Sequence, residues 1–562
     1  MLEVASIALP AEAMHQWLQE KEIRQFLESL HLFGEARRQQ LLGKRAELRK
    51  RYGTGIRPEP NPECKHIRTS PWQLTNIPPD LRNRRVEITG QPGRINIINA
   101  LNSGAQLYMA DFGAACAPSW NNICAGHYYL WQAVRRQIDF VDEEDGKEYS
   151  LNRNTATLEV RLRGLHLNER HINIKGQPMC AALFDAGLFL FLNARELIDR
   201  GSGPYLCLSN IENQQEAIFW ADVLDYITRY LKLPAQCIKL SLLIDSITAA
   251  FEMEEILHAL RHYAVCTKAS WCDYLFSIVK NFQHDPDFVL PDRAQISLHS
   301  PFMKVFARRL VEVSTRRGAV PVGGMSAAMP GSLEEVNRYA FEQLKDDKLL
   351  ERKIGFLGVR VAHPSHVGVA QSTFAEELTD TTAFAHPNRG ALGVQKSTTT
   401  GNAAASDLIA AGAMHGDTGH PNPEGQDAEA QELLKIMENG TASELAVRNH
   451  IRVGLLYLSH WLSGNGSVTV HHQYQDTSSA ELARAQLWQW LRHRIKLDDG
   501  RSCTPELFDA LLHEEIRSIP FELSTKPLAL RQLTQATRLF KCLVTDIEFK
   551  EFLTDSAIEL ID

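Results

Sequence analysis

Short apolar segments alternate with amphipathic segments between about residues 85 and 365 of this 562-residue chain. A repeated strand-then-helix order predicts a parallel sheet, because a crossover, usually a helix, must carry the chain back before the next parallel strand. The stretch is also long enough for a closed eight-stranded barrel, which typically takes about 250 residues. The pattern alone does not distinguish a closed barrel from an open sheet.

Strands are predicted where short apolar runs are bounded by polar residues. They are Ile95–Ile98, Gln106–Phe112, Thr157–Leu162, Tyr205–Leu208, Lys239–Ile244, Asp273–Ile278 and Ala319–Val322. Helices are predicted between them, among others at Glu216–Leu231 and Phe251–His262.

The flanking segments have other patterns. Apolar residues at helical spacing predict a helix over residues 11–52, and a proline-rich irregular stretch follows. Residues 366–435 contain small, polar, aperiodic stretches that predict a partly disordered insertion, and the chain beyond them predicts helices throughout. We therefore divide the chain into an N-terminal helical segment (1–75), a sheet domain (76–365), the insertion (366–435) and a C-terminal helical domain (436–562).

Composition excludes several classes of protein. A formal net charge of −8 gives no electrostatic reason to expect nucleic-acid binding. No run of about 18 uncharged apolar residues is present, so no transmembrane helix is predicted. The ten cysteines are scattered, as in reduced intracellular proteins, and the last residues are not a peroxisomal Ser-Lys-Leu signal. We expect a cytoplasmic protein that acts on small molecules; the sequence does not give its oligomeric state.

Several motifs occur in a fixed order along the chain. They include Arg84–Gly90, Ile98–Ala105, Met109–Phe112, Arg161–His166 and His284–Arg293. Over about residues 70–365 and 440–540 the chain thereby resembles the malate synthase family, in particular its short A-type branch. The resemblance implies an α/β fold: a TIM (β/α)8 barrel with an N-terminal helical segment and a C-terminal all-helical plug domain that delivers the catalytic base.

The resemblance also implies a reaction. Members of this family condense acetyl-CoA with glyoxylate in a Mg2+-dependent, Claisen-type step and then hydrolyse the thioester. Such chemistry needs a base for the methyl proton, a cation for the enolate oxygen and a divalent metal that holds and polarises the acceptor. We expect this acyltransferase activity here, with glyoxylate or a related 2-oxo acid as acceptor. The motifs assign no CoA-contacting residues.

Two residues match the family's catalytic groups. Arg163 matches the arginine that stabilises the developing oxyanion, a task suited to a permanently charged fork of donors. The structural alternative is an arginine at the barrel rim that pairs with a carboxylate. Asp476 matches the catalytic base, although an aspartate there also suits the N-cap of a helix.

The metal is expected on two carboxylates. Asp273 matches a magnesium ligand of the family, and Asp245 stands where the family has a glutamate ligand. The aspartate side chain is one methylene shorter than that of glutamate. This difference matters because magnesium demands near-ideal octahedral geometry. The alternative is that Asp245 and Asp273 are carboxylates at the barrel rim that bind no ion. The adjoining Ser270, Trp271 and Cys272 lie where backbone amides of relatives hold the glyoxylate carboxylate.

Other family motifs are changed where the pocket should be. Gly113 and Ala114 replace the Glu-Asp of Met-Ala-Asp-Phe-Glu-Asp. The family's Gly-Leu-Asn-x-Gly-Arg-Trp-Asp is residues 266–273 here, and its Gly-His-Asp-Gly-Thr-Trp is residues 355–360. These losses suggest a second hypothesis, that the chain is a catalytically inactive homologue with a binding or regulatory role.

Overall fold

The structure is a computed structural model that describes residues 2–142, 146–375, 430–437, 440–519 and 527–561. Eight parallel strands form a closed barrel. These strands are β1 (Val86–Gly90), β2 (Leu107–Asp111), β5 (Thr157–Arg161), β8 (Tyr205–Leu208), β9 (Lys239–Ile244), β10 (Ala264–Ala269), β11 (Val320–Met325) and β12 (Gly358–Val361). Their spatial order is β1-β12-β11-β10-β9-β8-β5-β2, which confirms the predicted TIM barrel.

Two short antiparallel hairpins interrupt the alternation within the barrel domain. They are formed by β3 (Asp139–Val141) with β4 (Glu148–Ser150), and by β6 (Asn168–Ile174) with β7 (Gln177–Cys180).

Helices surround the barrel and precede it. Those up to the insertion are α1 (Leu2–Gln19), α2 (Lys21–Gly53), α3 (Lys65–Thr69), α4 (Pro79–Arg82), α5 (Arg94–Leu101), α6 (Trp120–Val134), α7 (Ala181–Asp199), α8 (Gln214–Tyr230), α9 (Ile247–Phe251), α10 (Met253–Ala259), α11 (Trp271–Asn281), α12 (Pro301–Arg317), α13 (Glu334–Ile354) and α14 (His366–Ala375).

Two predicted strands are wrong. Ile95–Ile98 lies in α5 and Asp273–Ile278 lies in α11. Both runs are short and apolar, and such runs fit a buried helix as well as a strand. The true strands β1, β10 and β12 were not predicted. The single predicted helix over residues 11–52 is two helices, since Glu20 has extended backbone between them.

Charged side chains occupy part of the barrel interior. Arg84 donates to Glu87 at 2.6 Å and to Glu159 at 3.0 Å, and Lys268 contacts both glutamates. All four residues are buried. Two cations and two anions compensate one another, so the cluster avoids the cost of an unpaired buried charge.

The C-terminal domain is mainly helical: α15 (Glu444–Leu462), α16 (Thr477–His493), α17 (Pro505–Ser518), α18 (Pro527–Thr545) and α19 (Leu553–Ala557). It also contains one short hairpin of β13 (Val468–Val470) and β14 (Gln473–Gln475) within this otherwise helical part of the chain. Trp488 and Trp490 are buried. Most of the predicted insertion, residues 376–429, lies outside the described residues, and the predicted domain boundaries stay predictions.

Side chains of α16 attach this domain to the barrel. Gln486 donates to the carbonyl of Pro291 at 2.6 Å, Gln489 to that of Phe288 at 2.8 Å, and Trp490 to that of Leu290 at 2.8 Å. At the start of α16, the hydroxyl of Thr477 donates to the carbonyl of Ala114 at 3.0 Å. These bonds bring the start of α16 to the mouth of the barrel. In the described part of the chain, no helix is long and apolar enough to span a bilayer.

Candidate active site

Two adjacent cavities lie where the barrel strands end and α16 begins. The first is lined, among others, by Arg161, Asp245, Asp273, Lys280 and Glu481. The second is lined, among others, by Asp111, Arg161, Ser270, Trp271, Cys272, Arg293, Arg360, Tyr474 and Asp476. Arg161 and Ser478 line both cavities. Barrel enzymes place their reacting groups at this end of the strands.

Asp245 and Asp273 come from neighbouring positions in the barrel. Asp245 directly follows β9, and Asp273 lies in the first turn of α11, which follows β10. The backbone amide of Asn210 donates to Asp245 Oδ2 at 2.7 Å, and the Ser270 hydroxyl donates to Asp273 Oδ2 at 2.7 Å. Asn210 has a φ of 56°, a left-handed conformation that asparagine adopts more readily than most residues.

The electrostatics of this pair suit a cation. Burial, and then the charge of Asp273, raise the pKa of Asp245 to about 7. Asp245 Oδ1 is buried without a hydrogen-bond partner. An unpaired buried carboxylate oxygen is costly, and a bound cation would offset both the repulsion and the lost solvation.

Two carboxylates fit a magnesium ion. Among the residues that the structure describes, no group of three or more His, Cys, Asp or Glu side chains could hold a metal. Magnesium usually takes only one or two protein carboxylates and keeps several waters or substrate oxygens. Asp245 and Asp273 meet that requirement, because they line the same cavity and their charges repel each other.

The structure separates the two arginines of the Arg-x-Arg motif. The Arg163 guanidinium donates to Asp185 at 2.7 and 2.9 Å and to Glu169 at 2.8 Å, and Arg163 lines neither cavity. It matches the structural alternative, an arginine paired with carboxylates. Arg161 instead lines both cavities. Arg161 is the last residue of β5, whereas Arg163 lies beyond the end of the strand. The two arginines are two positions apart and would share a face in a continuous strand, so the end of β5 at Arg161 is what allows their surroundings to differ.

Gly113 and Ala114 lie in the loop that follows β2. The amides of Gly113 and Ala114 donate to Asp111 Oδ1 at 2.7 and 2.8 Å. Asp111 Oδ2 accepts from Arg161 Nη1 at 3.1 Å, and Ser209 Oγ accepts from Arg161 Nε at 3.2 Å. Asp111 thus both closes the turn and orients Arg161, a function that the sequence analysis did not assign to it.

Asp476 is the N-cap of α16. Its Oδ1 accepts from the amide of Ser479 at 3.1 Å, and Ser479 Oγ accepts from the amide of Asp476 at 2.9 Å. Burial, and then the charge of Asp273, raise the pKa of Asp476 to about 6. Within the described residues no hydrogen bond to Oδ2 is found, so this oxygen is available to accept a proton. Asp476 therefore combines a capping role with a place in the second cavity.

Ser270, Trp271 and Cys272 line the second cavity together with Asp476. Ser270 has φ −128° and ψ 97°, ordinary extended backbone, so a serine at the family's glycine position causes no backbone strain. The Trp271 indole lies against Gly324, where an added Cβ would come within 1.9 Å of Nε1. Burial raises the pKa of the Cys272 thiol, which keeps it protonated.

Four charged residues of the second cavity had no role predicted from the motifs: Asp111, Arg161, Arg293 and Arg360. Each lies within or beside a motif that was recognised. The motifs did not show the direction in which each of these side chains points.

Family models and known proteins described as malate synthases match this chain. A family model described as the malate synthase TIM barrel domain matches residues 157–396, and one described as the malate synthase C-terminal domain matches residues 441–561. The malate synthase of Myxococcus xanthus is 38% identical over 94% of this chain and 91% of its own. That of Streptomyces clavuligerus is 38% identical over 95% and 94%. Malate synthase A of Escherichia coli is 35% identical over 95% of each chain.

Proposed function

The chain belongs to the malate synthase family of acyltransferases, and we propose that it condenses acetyl-CoA with glyoxylate and hydrolyses the resulting thioester to malate and CoA. One observation carries the proposal. Two carboxylates that suit a magnesium ion, a buried guanidinium and a carboxylate with a raised pKa all face the two adjoining cavities at the barrel mouth. These are the groups that the reaction needs.

Asp476 acts as the base in this proposal. Its carboxylate removes a methyl proton of acetyl-CoA, and a pKa of about 6 leaves it ionised at neutral pH yet more basic than an exposed aspartate. Its position is fixed by the capping bonds to Ser479.

Arg161 takes the role that the sequence analysis gave to Arg163. Its guanidinium stabilises the enolate oxygen, since it lies between the two cavities and is held by Asp111 and Ser209. The enolate carbon then forms a bond to the aldehyde carbon of glyoxylate, and the π electron pair of that carbonyl moves to its oxygen, which takes up a proton and becomes the product's hydroxyl. Water finally cleaves the thioester and releases CoA as the thiol.

Asp245 and Asp273 would hold the magnesium ion. When bound, the ion supplies Lewis acidity to the carbonyl of the acceptor. The unpartnered Oδ1 of Asp245 and the mutual repulsion of the two carboxylates support this assignment.

The proposal is tested by mixing the purified protein with acetyl-CoA, glyoxylate and Mg2+ and detecting free CoA thiol. We expect release that requires both substrates and stops when the metal is chelated. The alternative, an inactive homologue that binds a ligand or partner, is favoured by the loss of acidic residues at Gly113 and Ala114. It predicts no thiol release with glyoxylate or with any other 2-oxo acid in a screen.

A further inference from the structure

Arg360 is a buried cation in the second cavity, at the end of β12. Arg360 is 4% exposed. By the motif resemblance it stands at the tryptophan of the family's Gly-His-Asp-Gly-Thr-Trp, which is residues 355–360 here. Its Nη2 donates to the carbonyl of Ala269 at 2.5 Å, and its Nε donates to that of Gly323 at 3.4 Å. The guanidinium thus lies beside the ends of β10 and β11, next to Ser270, which precedes α11.

No anion among the described residues is paired with this charge. Over the described ranges, no ion pair to Arg360 is found, and its Nη1 makes no hydrogen bond. The carboxylates of the same cavity are otherwise engaged: Asp111 binds Arg161, and Asp476 caps α16. A buried guanidinium without a counter-ion is costly, so an anion entering the cavity gains a strong, charge-assisted partner.

The sequence supplies an independent observation. The family's arginine and tryptophan have exchanged positions, since Trp271 stands at the arginine and Arg360 at the tryptophan. Both side chains contact the same part of β11. The Trp271 indole lies against Gly324, and Arg360 donates to the carbonyl of Gly323. One indole and one guanidinium therefore lie at this place, the indole on α11 and the guanidinium on β12.

We propose that Arg360 binds the carboxylate of the 2-oxo acid acceptor. The inference rests on the proposed function and names the residue that recognises its acceptor. The free Nη1 edge of a guanidinium can donate to a carboxylate, for which its planar fork is suited. An acceptor held there lies beside the amides at the start of α11 and in the cavity that Asp476 also lines. Arg360 would thus determine the requirement for a carboxylate next to the reacting carbonyl.

A direct measurement of glyoxylate binding tests the Arg360 proposal without requiring turnover. Glyoxylate is titrated calorimetrically into the protein with Mg2+ and no acetyl-CoA. Arg360→Met should weaken glyoxylate binding about 30-fold or more, as expected when one member of a buried charge pair is removed. Acetyl-CoA affinity, titrated separately, should change less than about 2-fold. Arg338→Met, on the exposed surface of α13, is the matched control and should alter neither.

Two outcomes would overturn the proposal. Unchanged glyoxylate affinity with a lower unfolding temperature would mean that Arg360 only ties β10 to β11. Weaker acetyl-CoA binding with unchanged glyoxylate binding would assign Arg360 to a CoA phosphate. If Arg360→Met does not fold, Arg360→Lys keeps the charge without the fork and should still weaken glyoxylate binding measurably.

A double variant tests the exchange itself. Arg360→Trp alone should lose glyoxylate affinity, and adding Trp271→Arg should recover most of the loss by restoring the family's arrangement. A double variant no better than Arg360→Trp would contradict the inference. Glyoxylate binding by a protein that releases no CoA would refute the proposed function and leave the Arg360 proposal standing; no glyoxylate binding at all would refute the Arg360 proposal.

Discussion

Arg161 and Asp111 are directly paired across β5 and β2, with Arg161 Nη1 donating to Asp111 Oδ2 at 3.1 Å. Asp111 is itself fixed by the amides of Gly113 and Ala114. The guanidinium is therefore held in place before substrate binds, so little reorganisation is needed when negative charge develops on the enolate oxygen.

Arg161→Gln should lower kcat by about 100- to 1,000-fold, the typical cost of removing one stabilising donor at a developing oxyanion. The measurement is the rate of CoA thiol release at saturating acetyl-CoA and glyoxylate. Full activity of Arg161→Gln would refute the assignment of the enolate-stabilising role to Arg161.

Arg163→Gln should behave differently. Arg163 is buried against Asp185 and Glu169, and removal of one partner from a buried ion pair costs about 3–5 kcal/mol of unfolding free energy. Denaturant unfolding should show this loss, while kcat per folded molecule stays close to that of the unmodified protein. Loss of kcat without loss of stability would return the catalytic role to Arg163, as the motif alone suggested.

Asp476→Asn should abolish turnover without unfolding the chain. Asparagine is as good an N-cap as aspartate, so the bond to the Ser479 amide can persist while the basic carboxylate is removed. Asp476→Ala is the matched comparison, because it loses the base and also about 1 kcal/mol of helix capping. Equal thiol release by Asp476→Asn and the unmodified protein would remove the assignment of the base.

The raised pKa of Asp476 predicts an acid limb in the pH–rate profile. Since the base must be ionised to accept a proton, activity should be present above the pKa and fall as the pH decreases through about 6. A cation bound at Asp273 reduces the repulsion between the two carboxylates, so saturating magnesium should move the limb to lower pH. Residual activity of Asp476→Asn should lack this limb, and a limb unchanged in that variant would assign the titration to another group.

The strand–helix alternation predicted a parallel sheet, and the motif resemblance predicted the closed barrel and the order of its parts. The motif pointed to Arg163 and not to Arg161, because it does not show that β5 ends at Arg161 and that Arg163 lies beyond the strand. It also read the apolar runs in α5 and α11 as strands, a choice that depends on tertiary contacts. Asp245, Asp273 and Asp476 could be placed because each stood in an alignable motif, and their catalytic and metal-binding roles stay predictions.

Variants of Asp245 should change stability in opposite directions with and without magnesium. The pKa of this carboxyl in the folded chain is raised from 3.8 to about 7, first by burial and then by Asp273. Stability should therefore fall as the pH rises from about 4 to about 7 and stay lowered above that. Asp245→Asn removes the charge and can still accept from the amide of Asn210. At pH 8 without metal it should gain up to about 4 kcal/mol, since each pKa unit corresponds to about 1.4 kcal/mol.

With magnesium bound, the unmodified protein should become more stable than Asp245→Asn if Asp245 and Asp273 are the ligands of the ion. The unmodified protein should be stabilised by added Mg2+ in thermal unfolding, because a ligand that binds only the folded state raises its stability, and Asp245→Asn should lose that response. Asp245→Glu restores the longer glutamate side chain that the family has at this position. It should bind Mg2+ about 10-fold more tightly if the length of the side chain limits ligation. An equal Mg2+ response in all three proteins would show that Asp245 does not hold the metal.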